Sequence, residues 1–175
     1  SWFGKFHLEM IWWHQAWQAL WGHPELLDRT LGWYETVEPV AREIARRQGF
    51  DGVRWMKMTD PSGTEAPSNV GSFLIWQQPH FIYLAELVYR ANPSDEVIKK
   101  YNHLVQETAK FMYSFATYDE FHGRFILKGA IPAQETLRAA TTINPPFELS
   151  YWHYAMNVAQ QWRERAGEKR NLEWE

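Results

Sequence analysis

Apolar residues recur every three or four positions along most of this chain, a spacing that restricts it to helices each burying one stripe. Phe6, Met10, Trp13, Trp17 and Leu20 predict a helix over about 5–20, stopped by Gly22. Pro24 suits the first position of a short helix reaching about Leu31. Tyr34, Val37, Ala41, Ile44 and Ala45 mark another, to about Gln48. Gly49 stands where a left-handed cap belongs, and Pro39 is expected to bend the helix. A helix over about 73–90 contains Pro79 as a kink or a true start. Val97, Tyr101, Leu104, Thr108, Met112 and Phe115 carry the clearest pattern, to about Thr117. Ser94 is its expected N-cap, and Asp95 and Glu96 suit the positive helix end. The final helix opens at Pro145 or Pro146, capped by Asn144, and runs to about Ala166.

Two long segments interrupt this pattern. The first, about 50–71, contains Asp60-Pro61-Ser62-Gly63 and Pro67-Ser68-Asn69, while Trp55, Met56 and Met58 argue that it is ordered. The second, about 118–146, has a short strand candidate at Arg124–Leu127. The order is helix, short turn, helix, long loop, then the same again. Antiparallel helix pairs put their short turns at one end and their long loops at the other. Loops gathered on a rigid scaffold carry binding and catalytic residues disproportionately often. The expectation is an all-α fold of antiparallel helical hairpins, resembling part of an α/α toroid.

Composition removes several function classes. The net charge is −3 with no basic stripe, which argues against nucleic acid and anionic membrane surfaces as partners. The absence of Cys removes disulfide scaffolds, zinc–thiolate sites and thiol nucleophiles. No run approaches the roughly 18 apolar residues of a membrane span. Ser1-Trp2-Phe3 reads like the inside of a fold, so the N-terminus is expected to be an excision point. Phosphate-binding Gly-rich loops, Gly-x-Ser-x-Gly elbows and His-Glu-x-x-His helices are absent from the sequence.

The long loops hold the acids of interest. Glu135 lies among small and apolar residues, where burial would raise its pKa and keep it protonated, as a glycosidase general acid requires. From the residues alone, an exposed first-turn position in a small helix is the plainer reading. Glu65 is a sugar-binding candidate or a solvated loop residue; Asp60 and Asp119 are weaker candidates. His7 and His14, seven apart, would share a helix face; with Glu9 they read as metal ligands or as hydrogen-bonding partners of a polar ligand, the second being preferred. Of the 11 Trp, Trp17, Trp33 and Trp162 match core stripes, whereas Trp12, Trp13, Trp55 and Trp76 lie beside polar residues and suit platforms for sugar C–H faces. Gln77-Gln78-Pro79-His80 groups hydrogen-bonding side chains at a helix entry, to satisfy buried backbone or to meet a ligand.

Phe6-His7-Leu8-Glu9-Met10 resembles the Trp-Asp-x-Glu element of maltose and kojibiose phosphorylases. Pro39-Val40-Ala41-Arg42 through Gly49-Phe50-Asp51-Gly52-Val53-Arg54-Trp55 resembles that family's Pro-x-Ala-Arg … Gly-x-x-Gly-Ala … Trp run, and Gly63-Thr64-Glu65 its Gly-x-Glu. Ile131-Pro132-Ala133-Gln134-Glu135 falls where the family carries Gly-Pro-Asp-Glu, and inverting α-fucosidases a Ser-Pro-Glu element. The resemblance implies a six-hairpin (α/α)6 glycosidase fold. The whole chain would be one domain, about half of the catalytic barrel, with the catalytic base outside it. It implies Glu135 as general acid; together with the residue patterns above, the expected sugar subsite is His7, Glu9, Trp12, Trp13, Trp55, Glu65, Gln78 and His80, with no metal or organic cofactor. His7 stands where the family has a sugar-binding Asp. The implied partners are a glycoside or oligosaccharide, and either the remainder of the barrel or a second copy.

Overall fold

The computed structural model describes residues 3–133 and 136–175. Five helices dominate: α1 (Ile11–Leu20), α2 (Pro24–Arg47), α3 (His80–Ala91), α4 (Asp95–Phe115) and α5 (Pro146–Arg165). Four short strands form two antiparallel ribbons: β1 (Phe6–His7) with β2 (Met58–Thr59), and β3 (Thr117–Asp119) with β4 (Arg124–Ile126).

The helices alternate between two layers. α1 and α3 pack on each other, as do α3 and α5; α2 covers α1 and α3, and α4 covers α3 and α5. Outside, α2 and α4 run in the same direction, joined by polar bridges at rising positions. Lys100 and Tyr101 meet Asp28 at 2.8 and 2.6 Å, His103 meets Glu38 at 2.8 Å, and Arg42 meets Glu107 at 2.6 Å. Between the layers lies a core in which the Tyr34 ring stands edge-on to Trp55 and tilted against Phe81, with Tyr101 and Trp162 also fully buried. These are antiparallel helical hairpins, as the spacing requires.

Several boundaries differ from the sequence expectation. The first helix begins at Ile11, and Phe6 and His7 leave it to pair with Met58 and Thr59. His7 and His14 therefore share no helix face. The stripe of Trp13, Trp17 and Leu20 faces solvent, while Ala16 points to the core, so Trp17 is not a packing residue. α2 is one helix rather than two, because its buried stripe of Leu27, Leu31, Tyr34 and Val37 runs unbroken past Gly32. Gly49 ends it as expected, with φ of +84°. The Phe50 N–H bonds the Ala45 carbonyl and the Gly49 N–H that of Arg46, a Schellman closure. Pro79 directly precedes the true start of α3. The Ser94 hydroxyl caps α4 by accepting from the Val97 N–H. Asn144 does not cap α5; at φ of +51°, its side-chain oxygen accepts from the Leu127 N–H and straps the second loop.

Candidate functional site

The alternation of layers places both long connections before inner helices, 48–79 before α3 and 116–145 before α5. The connections touch. The Ile131 N–H donates to the Phe73 carbonyl at 2.9 Å, and Ile131 pairs with Leu74 in a parallel bridge. Leu74, Trp76 and Ile131 form a small buried cluster of their own. The Trp152 indole N–H of α5 reaches the Ile75 carbonyl at 3.0 Å. Both loops thus meet over the first turns of α3 and α5.

At that end lies an aromatic hollow of about 390 Å³. α1 supplies Trp12 and Trp13, which stand edge to face at 4.7 Å. The approach to α3 and its first turn supply Trp76, His80 and Tyr83. α5 supplies Phe147, Ser150, Tyr151 and Tyr154. Trp12 lies 5.7 Å from Tyr83, and Trp76 stands edge-on to His80 at 5.2 Å. The buried Trp76 indole N–H has no partner among the described residues. This size falls at the lower end of small-molecule sites, about 300–1,000 Å³. Stacked and edge-on rings of this kind can hold the apolar face of a small ring.

His80 organises the polar side of the hollow. Its Nε2 lies 3.0 Å from the Glu9 carbonyl oxygen and its Nδ1 3.0 Å from the Tyr151 hydroxyl. Burial pushes its pKa down to about 4, so the ring is neutral at pH 7. Burial also raises the Tyr151 and Tyr83 phenols above their usual range. Beside this pair, the Glu9 carboxylate lies 3.3 Å from His7 Nδ1 and 3.6 Å from Lys57 Nζ. Burial, then Lys57, holds His7 below the usual imidazole value.

The sequence-derived candidates separate in space. Trp12, Trp13, Trp76 and His80 line the hollow, and Glu9 touches it through its backbone. Trp55 does not: it is 2% exposed in the interlayer core, with its indole N–H on Thr108 at 3.0 Å, so neither ring face is open to a ligand. Gln78 is fully buried and spent on backbone, accepting from the Trp55 N–H and donating to the Val53 carbonyl. Gln77 likewise donates to the Trp55 and Leu74 carbonyls. Glu65 pairs with Arg47 at 3.1 Å in a separate groove against α2. Asp60 folds its own turn by accepting from Ser62 and Thr64, and Asp119 holds His122. Trp33 is half-buried with its N–H on the Pro61 carbonyl, and Trp162 is core. Glu135 lies outside the described residues. No group of three or more potential ligand side chains that could hold a metal occurs among the described residues.

Four residues escape a sequence reading. Tyr83, Tyr151 and Tyr154 resemble ordinary packing residues until α3 and α5 are set side by side. Glu148, in the first turn of α5, is 1% exposed and accepts the Ala133 N–H at 2.7 Å. Burial raises its carboxyl pKa, outweighing the backbone N–H groups of Glu148 and Ala133. It ties residue 133 to the helix whose neighbouring Phe147 walls the hollow. Its sequence signal is an acid at the third position of a helix, which by itself does not distinguish a buried carboxyl from an exposed one.

No protein-family model matches the sequence, and neither does any curated protein. Among solved structures, one described as "Putative kojibiose phosphorylase from human microbiome" superposes with a TM-score of 0.69 at 14% identity. The match covers 77% of this chain and 20% of that one, so the chain spans about a fifth of the neighbour's length. A likeness at this identity establishes architecture alone: the chain is a set of antiparallel hairpins of the (α/α)6 toroid type.

Proposed function

We propose that the chain is a segment of a glycosyl-processing enzyme, that the aromatic hollow is its sugar subsite, and that Glu135 is the general acid. One observation carries this reading: an indole- and phenol-lined hollow stands at the first turns of three inner helices, where both long loops converge. Residue 131 is bonded to Phe73 in the approach to α3 and residue 133 to Glu148 in the first turn of α5, and Glu135 follows two positions later in the sequence. Glu135 would protonate the glycosidic oxygen. A second carboxylate, supplied by chain outside this segment, would activate water on the opposite sugar face at roughly 6.5–9.5 Å from the first. Glu9, His7 and Lys57 would form a polar edge beside the sugar.

The structural neighbour supports a second reading, in which phosphate replaces water as the nucleophile. Testing whether release of an aryl glycoside requires phosphate separates the two. In the protein carrying this segment, Glu135→Gln is expected to cut turnover at least about 100-fold, as loss of a positioned general acid does, while sugar binding stays near normal. Unchanged turnover removes Glu135 from the role. Sugar binding without any turnover in the parent protein favours a non-catalytic carbohydrate-binding domain.

A further inference from the structure

We propose that His80 is a positioning residue that presents the Tyr151 oxygen to the hollow as a hydrogen-bond acceptor, so that the subsite selects an uncharged sugar ring with a hydroxyl at that point. The inference rests on reading the hollow as a sugar subsite. The polarity follows from the partners. A carbonyl oxygen can only accept, so His80 Nε2, 3.0 Å from the Glu9 carbonyl, carries the hydrogen. In a neutral imidazole Nδ1 is then the acceptor, and the Tyr151 hydroxyl at 3.0 Å must donate to it. The single phenolic proton is committed. What Tyr151 offers a ligand is its remaining lone pair, which takes a hydroxyl hydrogen.

Both ring nitrogens of His80 are thereby used, so it acts on a ligand through Tyr151 rather than by contact. Among the described residues, the bonding partners of the ring are the Glu9 backbone and the Tyr151 hydroxyl, while the Glu9 carboxylate lies beside His7 and Lys57. With His80 neutral, none of the described residues that line the hollow carries a charge. An anionic sugar would lose hydration against these rings without meeting a cation among them, a large cost, and Lys57 at the polar edge already faces the Glu9 carboxylate at 3.6 Å. A neutral ring keeps its C–H faces on Trp and Tyr and spends one hydroxyl on Tyr151.

Two measurements test the proposal. Long-range ¹⁵N–¹H correlation at pH 7 should show the His80 ring as the Nε2–H tautomer; an Nδ1–H tautomer or an imidazolium overturns the relay. Tryptophan-fluorescence titration then compares methyl α-glucoside, its monodeoxy congeners and methyl glucuronoside. With the wild type, one deoxy congener should bind about fivefold to tenfold more weakly than the parent, the worth of one hydrogen bond, and the glucuronoside more weakly still. Tyr151→Phe should bind parent and congener equally. His80→Gln, which retains a donor and an acceptor, should keep the discrimination that His80→Phe loses. Discrimination that survives Tyr151→Phe, or equal behaviour of the Gln and Phe variants at position 80, overturns the proposal. If no sugar binds the wild type, the sugar reading of the hollow falls, and the tautomer result distinguishes that failure from failure of the relay.

Discussion

His80 shows how one buried ring gives the site a pH signature. Its pKa is about 4 in the fold, against 6.5 when unfolded. As pH falls through 6.5 the unfolded chain takes up a proton that the folded chain refuses, so stability drops until about pH 4 and then levels off. The gap corresponds to about 3 kcal/mol. The denaturation free energies of wild type and His80→Gln should therefore differ by that much less at pH 4 than at pH 7. A difference that stays constant with pH would mean the ring titrates as if exposed. The carboxylates held low by ion pairs, such as Glu86 and Glu107, are common to both proteins and cancel. At this scale the sequence was an uneven guide. Trp12, Trp13 and His80 line the hollow, but Trp55 and Gln78, with similar neighbours, are structural. A residue's neighbours in sequence say that a polar group needs satisfying; whether backbone or a ligand satisfies it depends on what the fold brings near.

Helical elements were legible wherever an apolar stripe was buried. The stripe that continued α2 past Gly32 outweighed a local glycine cost of about 1 kcal/mol. The stripe of α1 was real but faced outward, because periodicity defines a face without saying what lies against it. Loops were legible as loops and not as shapes. Gly52 shows why: at φ of +71° it lies so close to α4 that an added Cβ would sit 2.2 Å from the Glu107 carbonyl oxygen. Gly52→Ala combines backbone strain with a clash against immobile backbone and should cost about 2–3 kcal/mol. Equilibrium denaturation measures it, and a change under about 0.5 kcal/mol would show that the first loop is not docked on α4 at this point. Since Val53 donates to that same carbonyl, the variant should also loosen the approach to Trp76.

The whole molecule depends on the inner helices staying abreast, since each contributes part of the hollow. Glu86 is a principal tie between α3 and α5. Although 1% exposed, it receives the Trp162 indole N–H at 2.8 Å, Arg165 at 2.6 Å and Arg90 at 2.8 Å. Glu86→Ala leaves the indole and Arg165 without their acceptor and should cost about 3 kcal/mol or more. It should also weaken any ligand of the hollow, because Tyr83 and Tyr151 belong to the two helices it joins. Full retention of denaturant resistance would show that the pair is solvated and not a tie. The sequence by itself determined that helices dominate and that two long loops interrupt them, because helix propensity and apolar spacing are set by residues a few positions apart, although the single span of α2 and the strand at Phe6–His7 emerged only in the fold. Only the tertiary structure decided which aromatic rings line the hollow. That choice depends on side chains such as Trp12, Tyr83 and Tyr151, which lie up to about 140 positions apart and acquire a common surface only when three inner helices pack side by side.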